Sequence, residues 1–205
     1  MGVNATVIAL LRQAIELLSQ EQEPRTETSL PSASRRPIAW GAKVSQTFRD
    51  RVWWIADTLE LNPDDLMACM AWESAESFRS DIRNAAGSGA TGLIQFMPST
   101  AVGLGTSTAK LAAMTPEDQL NYVYKYFRPY AGRLNNLGDI YMAILWPAGV
   151  GKSDDYVLWN KATKPTTFRQ NAGLDLNKDG NITRGECLKK INEKLTKGKK
   201  PGYLG

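Results

Sequence analysis

The sequence predicts a mainly α-helical protein, and three observations carry that prediction. Apolar residues return at helical spacing in several segments, as Phe48, Val52, Trp53, Ile55 and Ala56 do. Two helix-start signatures stand inside the chain, Asn62-Pro63-Asp64-Asp65 and Thr115-Pro116-Glu117-Asp118. Each offers a side-chain cap, a proline at the first helical position and carboxylates where the positive end of the helix dipole favours them. No strand-like alternation of any length appears between these segments.

Taken in order, residues 3–20 read as an amphipathic helix. Ile8, Leu11, Ile15 and Leu18 fall at alternating three- and four-residue steps, the seam of a short coiled coil. Two heptads are marginal alone, so two readings stand: a helix packed on its own domain, or a docking helix for another copy or a partner. Residues 21–37 are polar and rich in Pro and Ser, the composition of a linker, which favours docking elsewhere. Residues 44–59 read as a helix, and the next runs from Pro63 through Leu66, Met70 and Trp72 to Glu73. A glycine-rich turn follows with Gly87, Gly89 and Gly92, then an apolar segment carrying Gln95. Thr115 opens a helix bearing Leu120, Val123, Tyr124 and Phe127, and residues 137–145 form another. The domain boundaries expected are 1–20 for the docking helix, 21–37 for the linker, 38–165 for a catalytic domain and 166–205 for a loop with a basic tail.

At 205 residues the chain is long enough to bury a sizeable core. It contains no histidine, which removes the commonest general base, the commonest zinc ligand and the Ser-His-Asp triad together. Two cysteines, Cys69 and Cys187, cannot build a Cys-rich zinc site, and free buried thiols are expected in preference to a pair. Chemistry must come from carboxylates, hydroxyls, amides or a hard metal. The net charge is +4, with lysines 189, 190, 194, 197, 199 and 200 clustered near the C-terminus. That tail is either a solvated face or an attraction for an anionic polymer. Nucleic acid is not expected, because no stacking aromatics interleave with the lysines. No span of about 18 apolar residues suggests a membrane crossing, and Arg12 and Glu16 interrupt the N-terminal apolar run, so no signal peptide is expected.

A carboxylate at a helix end beside a glycine-lined groove is partly desolvated, and its raised pKa suits a general acid acting on a sugar oxygen. Residues 71–101 have that form. Glu73-Ser74, Phe78 and Gly89-Ala90-Thr91-Gly92-Leu93-Ile94-Gln95-Phe96-Met97-Pro98-Ser99-Thr100-Ala101 together resemble the catalytic core of soluble lytic transglycosylases and goose-type lysozymes, in the form common in bacteriophages. The resemblance implies a lysozyme-like fold and cleavage of the β-1,4 bond between N-acetylmuramic acid and N-acetylglucosamine. Glu73 and Glu76 compete for the role of acid. The family spacing of Glu-Ser/Thr, three residues and Phe selects Glu73 and leaves Glu76 at the solvated helix end.

By the same resemblance Glu73 protonates the leaving oxygen and then acts as base, activating the substrate's own C6 hydroxyl in a transglycosylase or a water in a hydrolase. Most glycosidases use a second carboxylate. The motif offers only Asp81, so a single acid tilts the reading toward the transglycosylase. Gln95 is expected as a groove amide or a satisfied core amide, Ser74 as a partner near the acid or a helix cap, and Met97 as a groove or core residue. The family's later Ala-Tyr-Asn-Ala-Gly is altered to Leu145-Trp146-Pro147-Ala148-Gly149, removing a polar sugar contact, and Tyr156-Val157 resembles the late Tyr-Val whose hydroxyl approaches the acid.

Two further motifs matter. Gly149-Val150-Gly151-Lys152-Ser153 ends like a phosphate loop, but position 146 is Trp and a helix precedes it, so it is rejected. Residues 175–186 fill the EF-hand pattern: Asp175, Asn177 and Asp179 give side-chain oxygens, Asn181 a backbone carbonyl, and Glu186 a bidentate carboxylate. Gly180 makes the turn, Ile182 anchors it and Thr183 takes the water-mediated position. A lone loop is expected as a structural calcium staple holding the segment after Cys187 onto the catalytic domain.

The expectation is thus a phage peptidoglycan lytic transglycosylase, mainly α, with an N-terminal docking helix and a C-terminal calcium loop. It would sit in the virion, bound to a virion or tail protein or to itself through residues 3–20, or in the host cytoplasm before release. The rivals are a hydrolytic endolysin released at lysis and a non-catalytic wall-binding virion protein.

Overall fold

The structure is a computed structural model and describes residues 35–85 and 87–205. The helix expected over 3–20, and the linker as far as residue 34, lie outside the described residues. Residues 36–205 form one unit, so the segment expected as loop and tail packs with the catalytic helices.

Each main helix starts where a side chain satisfies a free amide. Helix α1 (Gln46–Leu59) is capped by Ser45, two residues later than the apolar pattern suggested, and it buries Phe48, Val52, Ile55, Ala56 and Leu59. Helix α2 (Pro63–Glu73) is capped by Asn62 and is buried on every side from Pro63 to Ala71, which makes it the central helix. Short helices α3 (Pro98–Gly103) and α4 (Thr108–Ala112) follow the glycine turn. Helix α5 (Pro116–Phe127) is capped by Thr115 and α6 (Leu137–Leu145) by Asn136. Strand β1 (Val157–Asn160), short helix α7 (Pro165–Gln170), strand β2 (Asn181–Thr183) and helix α8 (Arg184–Gly198) complete the chain.

Two short strands are present where no alternation was read. They pair antiparallel, Trp159 opposite Ile182 and Asn160 opposite Asn181, with an irregularity between Val157 and Trp159. At four and three residues they are too brief to show a period.

Helix α8 packs more extensively on α2 than on any other element and also meets α6. Its apolar side, Cys187, Leu188 and Ile191, is buried. Its N-terminus is held by the buried pair Arg184–Asp139 at 3.2 Å, where Arg184 also reaches Asp154. Its far end is closed by the chain terminus: Ile38 and Gly205 exchange two backbone hydrogen bonds, and the Trp40 indole donates to the Lys194 carbonyl at 3.0 Å. A Cβ on Gly198 would stand 2.4 Å from the Trp40 ring, so only glycine admits this approach. Both cysteines are buried and free.

Candidate active site

Glu73 is the last residue of α2, and the chain cannot continue helically past it. Ala75 (φ 51°), Glu76 (φ 65°) and Phe78 (φ 50°) all take the left-handed backbone, a conformation costing non-glycine residues on the order of 1 kcal/mol each. Ser74 braces the turn. Its hydroxyl donates to the Met70 carbonyl at 2.6 Å and accepts from the Phe78 amide at 3.0 Å. Ser74 is fully buried, so its hydroxyl serves the helix end rather than an open groove.

Glu73 keeps some exposure as a residue, yet protein atoms crowd its carboxyl, and burial pushes that group up to about 8. It is therefore protonated at neutral pH and able to donate. Glu76, one turn on, is its chemical opposite. Partial burial opposes its ionisation, but hydrogen bonds from Lys194 and Lys197 hold its carboxyl below the ordinary range. Asp81 is exposed and paired with Arg79 at 2.6 Å.

The charge of Glu73 is felt by three side chains, none of which sequence reasoning assigned to the site. Burial first, then Glu73, raises the Cys69 thiol well above its usual value. Burial raises Tyr126 to about 12, with Tyr130 and Glu73 adding to it, and raises Tyr141 well above its normal range with Glu73 next in weight. Tyr126 links the glycine segment to α6, since its ring meets Phe96 edge-on at 6.1 Å while its hydroxyl donates to the Ala143 carbonyl.

The glycine turn folds back on itself through Thr91 and Phe96, which exchange backbone hydrogen bonds, and Gly92 donates to the Ile82 carbonyl at 2.8 Å. Gly92 has φ +83°, and a Cβ there would meet the Gln119 amide at 2.2 Å. Gln119 is fully buried and satisfied: it accepts from the Leu93 amide at 2.7 Å and donates to the Ser80 and Leu111 carbonyls. A polar residue beside Leu120 and Val123 on the apolar face of α5 was its only sequence signal. Gln95 takes φ 52°, and its side-chain NH2 donates to the Gly92 and Ile82 carbonyls, leaving the amide oxygen as the group able to meet a ligand. Met97, capping α3, is 45% exposed, which places it at the surface and not in the core.

Trp146 of the altered motif stacks edge-on against Trp159 at 5.6 Å, with the Lys164 ammonium 4.7 Å above it. Tyr156 is partly exposed, its carbonyl accepts from the Arg184 amide at 2.9 Å, and Lys152 lies over its ring.

The loop 175–186 keeps the geometry of an α8 start. Thr183 and Glu186 form a capping box, and Glu186 also accepts from the amides of Leu176 and Asn177. The Asn177 amide donates to Asp179, the Gly180 amide donates to Asp175 Oδ2, and Asp175 Oδ1 is buried without a partner. Among the described residues no three His, Cys, Asp or Glu side chains converge as a metal site.

A helical domain whose central helix ends in a desolvated acid beside a glycine turn has the arrangement that general-acid cleavage of a glycosidic bond needs, as in enzymes of the lysozyme-like class. Residues 55–161, more than half of the chain, match the family described as the transglycosylase SLT domain, and the chain belongs to that family. It is a lytic transglycosylase acting on peptidoglycan. No curated protein matches it. The matched segment covers the last part of α1, then α2 and the glycine turn through to β1, and stops short of α7, β2 and α8.

Proposed function

We propose that Glu73 is the single acid–base of this enzyme and that the bond cleaved is N-acetylmuramic acid β-1,4 to N-acetylglucosamine. One observation carries the reading: a carboxyl raised to about 8 by burial alone, at the end of the central helix. Protonated at neutral pH, Glu73 gives its proton to the leaving oxygen as the glycosidic bond breaks. The carboxylate then removes the proton of the C6 hydroxyl as that oxygen closes on C1, giving the 1,6-anhydro ring and restoring the acid. Gln95 through its amide oxygen, Met97 and Tyr156 are proposed to line the sugar groove, with Ser74 holding the turn behind the acid.

Mass spectrometry of fragments released from purified peptidoglycan tests this. Wild type yields anhydro-ended muropeptides, and Glu73→Gln loses at least 100-fold of the release. Reducing ends instead would make the enzyme a hydrolase, and release by neither protein would leave wall binding as its role.

The loop 175–186 is proposed to hold calcium through Asp175, Asn177, Asp179, the Asn181 carbonyl and Glu186. These hard oxygens suit the ion, and the buried Asp175 Oδ1 without a hydrogen-bond partner supports the reading. The ion would serve as a staple. The resemblance of the 71–101 stretch to bacteriophage forms supports a phage enzyme, placed in the virion by residues 1–20. Detection of the chain by mass spectrometry in washed particles checks that placement, and its absence there would favour release at lysis.

A further inference from the structure

The turn after Glu73 is held from several sides, and the holders Trp40, Phe48 and helix α8 lie outside the matched family segment. Phe78 is fixed by ring contacts with Trp40 and Phe48, each at 6.0 Å, and Ser74 by its own hydrogen bonds. Glu76 is held by α8. Its Oε1 accepts from Lys194 Nζ and its Oε2 from Lys197 Nζ at 2.6 Å. The three-residue spacing sets both lysines on one face of α8. Glu76 and Lys194 are only 25% and 24% exposed, so this is a shielded pair, unlike the open ion pairs of the surface. Lys194 also lies 5.9 Å over the ring of Trp72, the neighbour of Glu73. Left-handed Ala75 and Glu76 would relax to other backbone angles if released, and relaxation would carry the end of α2 with it.

We propose that Glu76, Lys194 and Lys197 form a positioning clamp, by which α8 fixes the direction of Glu73 and keeps water from its carboxyl. The proposal rests on Glu73 being the acid. A displacement of about 1 Å at a catalytic group costs roughly 100-fold in rate, so a clamp on Glu76, in the acid's own turn, acts on kcat without touching substrate.

The pH profile separates positioning from a direct electrostatic effect. Glu73 is faced by Cys69 on its own helix, Tyr126 on α5 and Tyr141 on α6, all still protonated near pH 8. Lys194 and Lys197 stand on α8, both paired with Glu76 in the acid's own turn. The alkaline limb of activity therefore reports Glu73. Glu76→Gln removes a negative charge, and Lys194→Gln/Lys197→Gln removes two positive ones. A direct field would move the limb down in the first variant and up in the second. Loosening admits water and moves it down in both.

The experiment measures kcat, KM and the alkaline limb on soluble, peptide-stripped glycan strands, with melting curves for each variant. The clamp predicts a roughly 10- to 100-fold fall in kcat at little-changed KM, a lowered limb in both variants, and rescue by Lys194→Arg/Lys197→Arg. The lysine variants change partly exposed side chains, so they keep the test open if Glu76→Gln does not fold. Wild-type kcat and limb in the lysine double variant, or limbs moving in opposite directions, would overturn the clamp. Glu73→Gln is run alongside: if it stays active, the acid itself is misassigned, and that failure is distinct from failure of the clamp.

Discussion

At Glu73 the same burial that keeps the acid protonated also sets a stability cost with a definite pH window. The carboxyl rises from an ordinary value of 4.5 to about 8 in the folded protein. A group raised on folding contributes its full stability below the unfolded value, where both states hold the proton. That contribution is lost progressively as pH rises through the folded value, and a shift of this size amounts to about 5 kcal/mol. Glu73→Gln cannot ionise. Its melting temperature should therefore match wild type near pH 4, pull ahead between pH 5 and 8, and keep a constant lead above that. Equal melting curves at pH 8 would show that the carboxyl is hydrated and could not serve as a neutral-pH acid. Glu76 could not have filled the role, because two lysines hold it ionised. The sequence could not show this, since its partners lie more than a hundred residues away.

The elements divide by how locally their causes act. Helices α2 and α5 were legible because a cap and apolar residues are both written within a dozen residues, and α6 from its apolar run. Gly92 was legible as a turn residue, yet not its second reason, the Gln119 amide pressed against it from α5. Gly92→Ala should meet both. Positive φ and a Cβ contact at 2.2 Å together cost about 3 kcal/mol, lowering the melting temperature by roughly 10 °C. Substituting Gly87, where a Cβ meets nothing within 4 Å, carries the backbone strain alone and should cost less than half as much. Equal losses in thermal melts would mean that Gln119 yields. Strands β1 and β2 were illegible for the opposite reason, because each exists through its partner across the loop and not through a pattern of its own. Tyr126 and Tyr141 carried no signal of their own within their helices, and only packing brings them to the acid.

For the unit spanning residues 36–205, the question is what holds α8 on α2, since α8 closes the core and grips the turn at Glu76. Its centre is apolar, its start is tied by Arg184 to Asp139, and its end is pinned by the terminal residues. The proposed calcium loop feeds directly into that start, because Glu186 is at once the twelfth loop position and the third residue of α8. Ile182 at the loop centre is buried opposite Trp159, so the lone loop finds in β1 the strand partner that a second loop would otherwise supply. Binding to the folded loop alone adds RT ln(1 + [Ca]/Kd), about 2.7 kcal/mol at a hundredfold excess over Kd. Chelation should accordingly lower the melting temperature by several degrees, and calcium should restore it where magnesium at equal concentration restores less. Glu186→Gln should lose the calcium response. If α8 is the link between loop and acid, chelation should also lower the alkaline limb of activity in the wild type and leave Lys194→Gln/Lys197→Gln unmoved. A calcium response in melting with no change in the limb would confine the ion to stability and leave the grip of α8 on Glu76 independent of it.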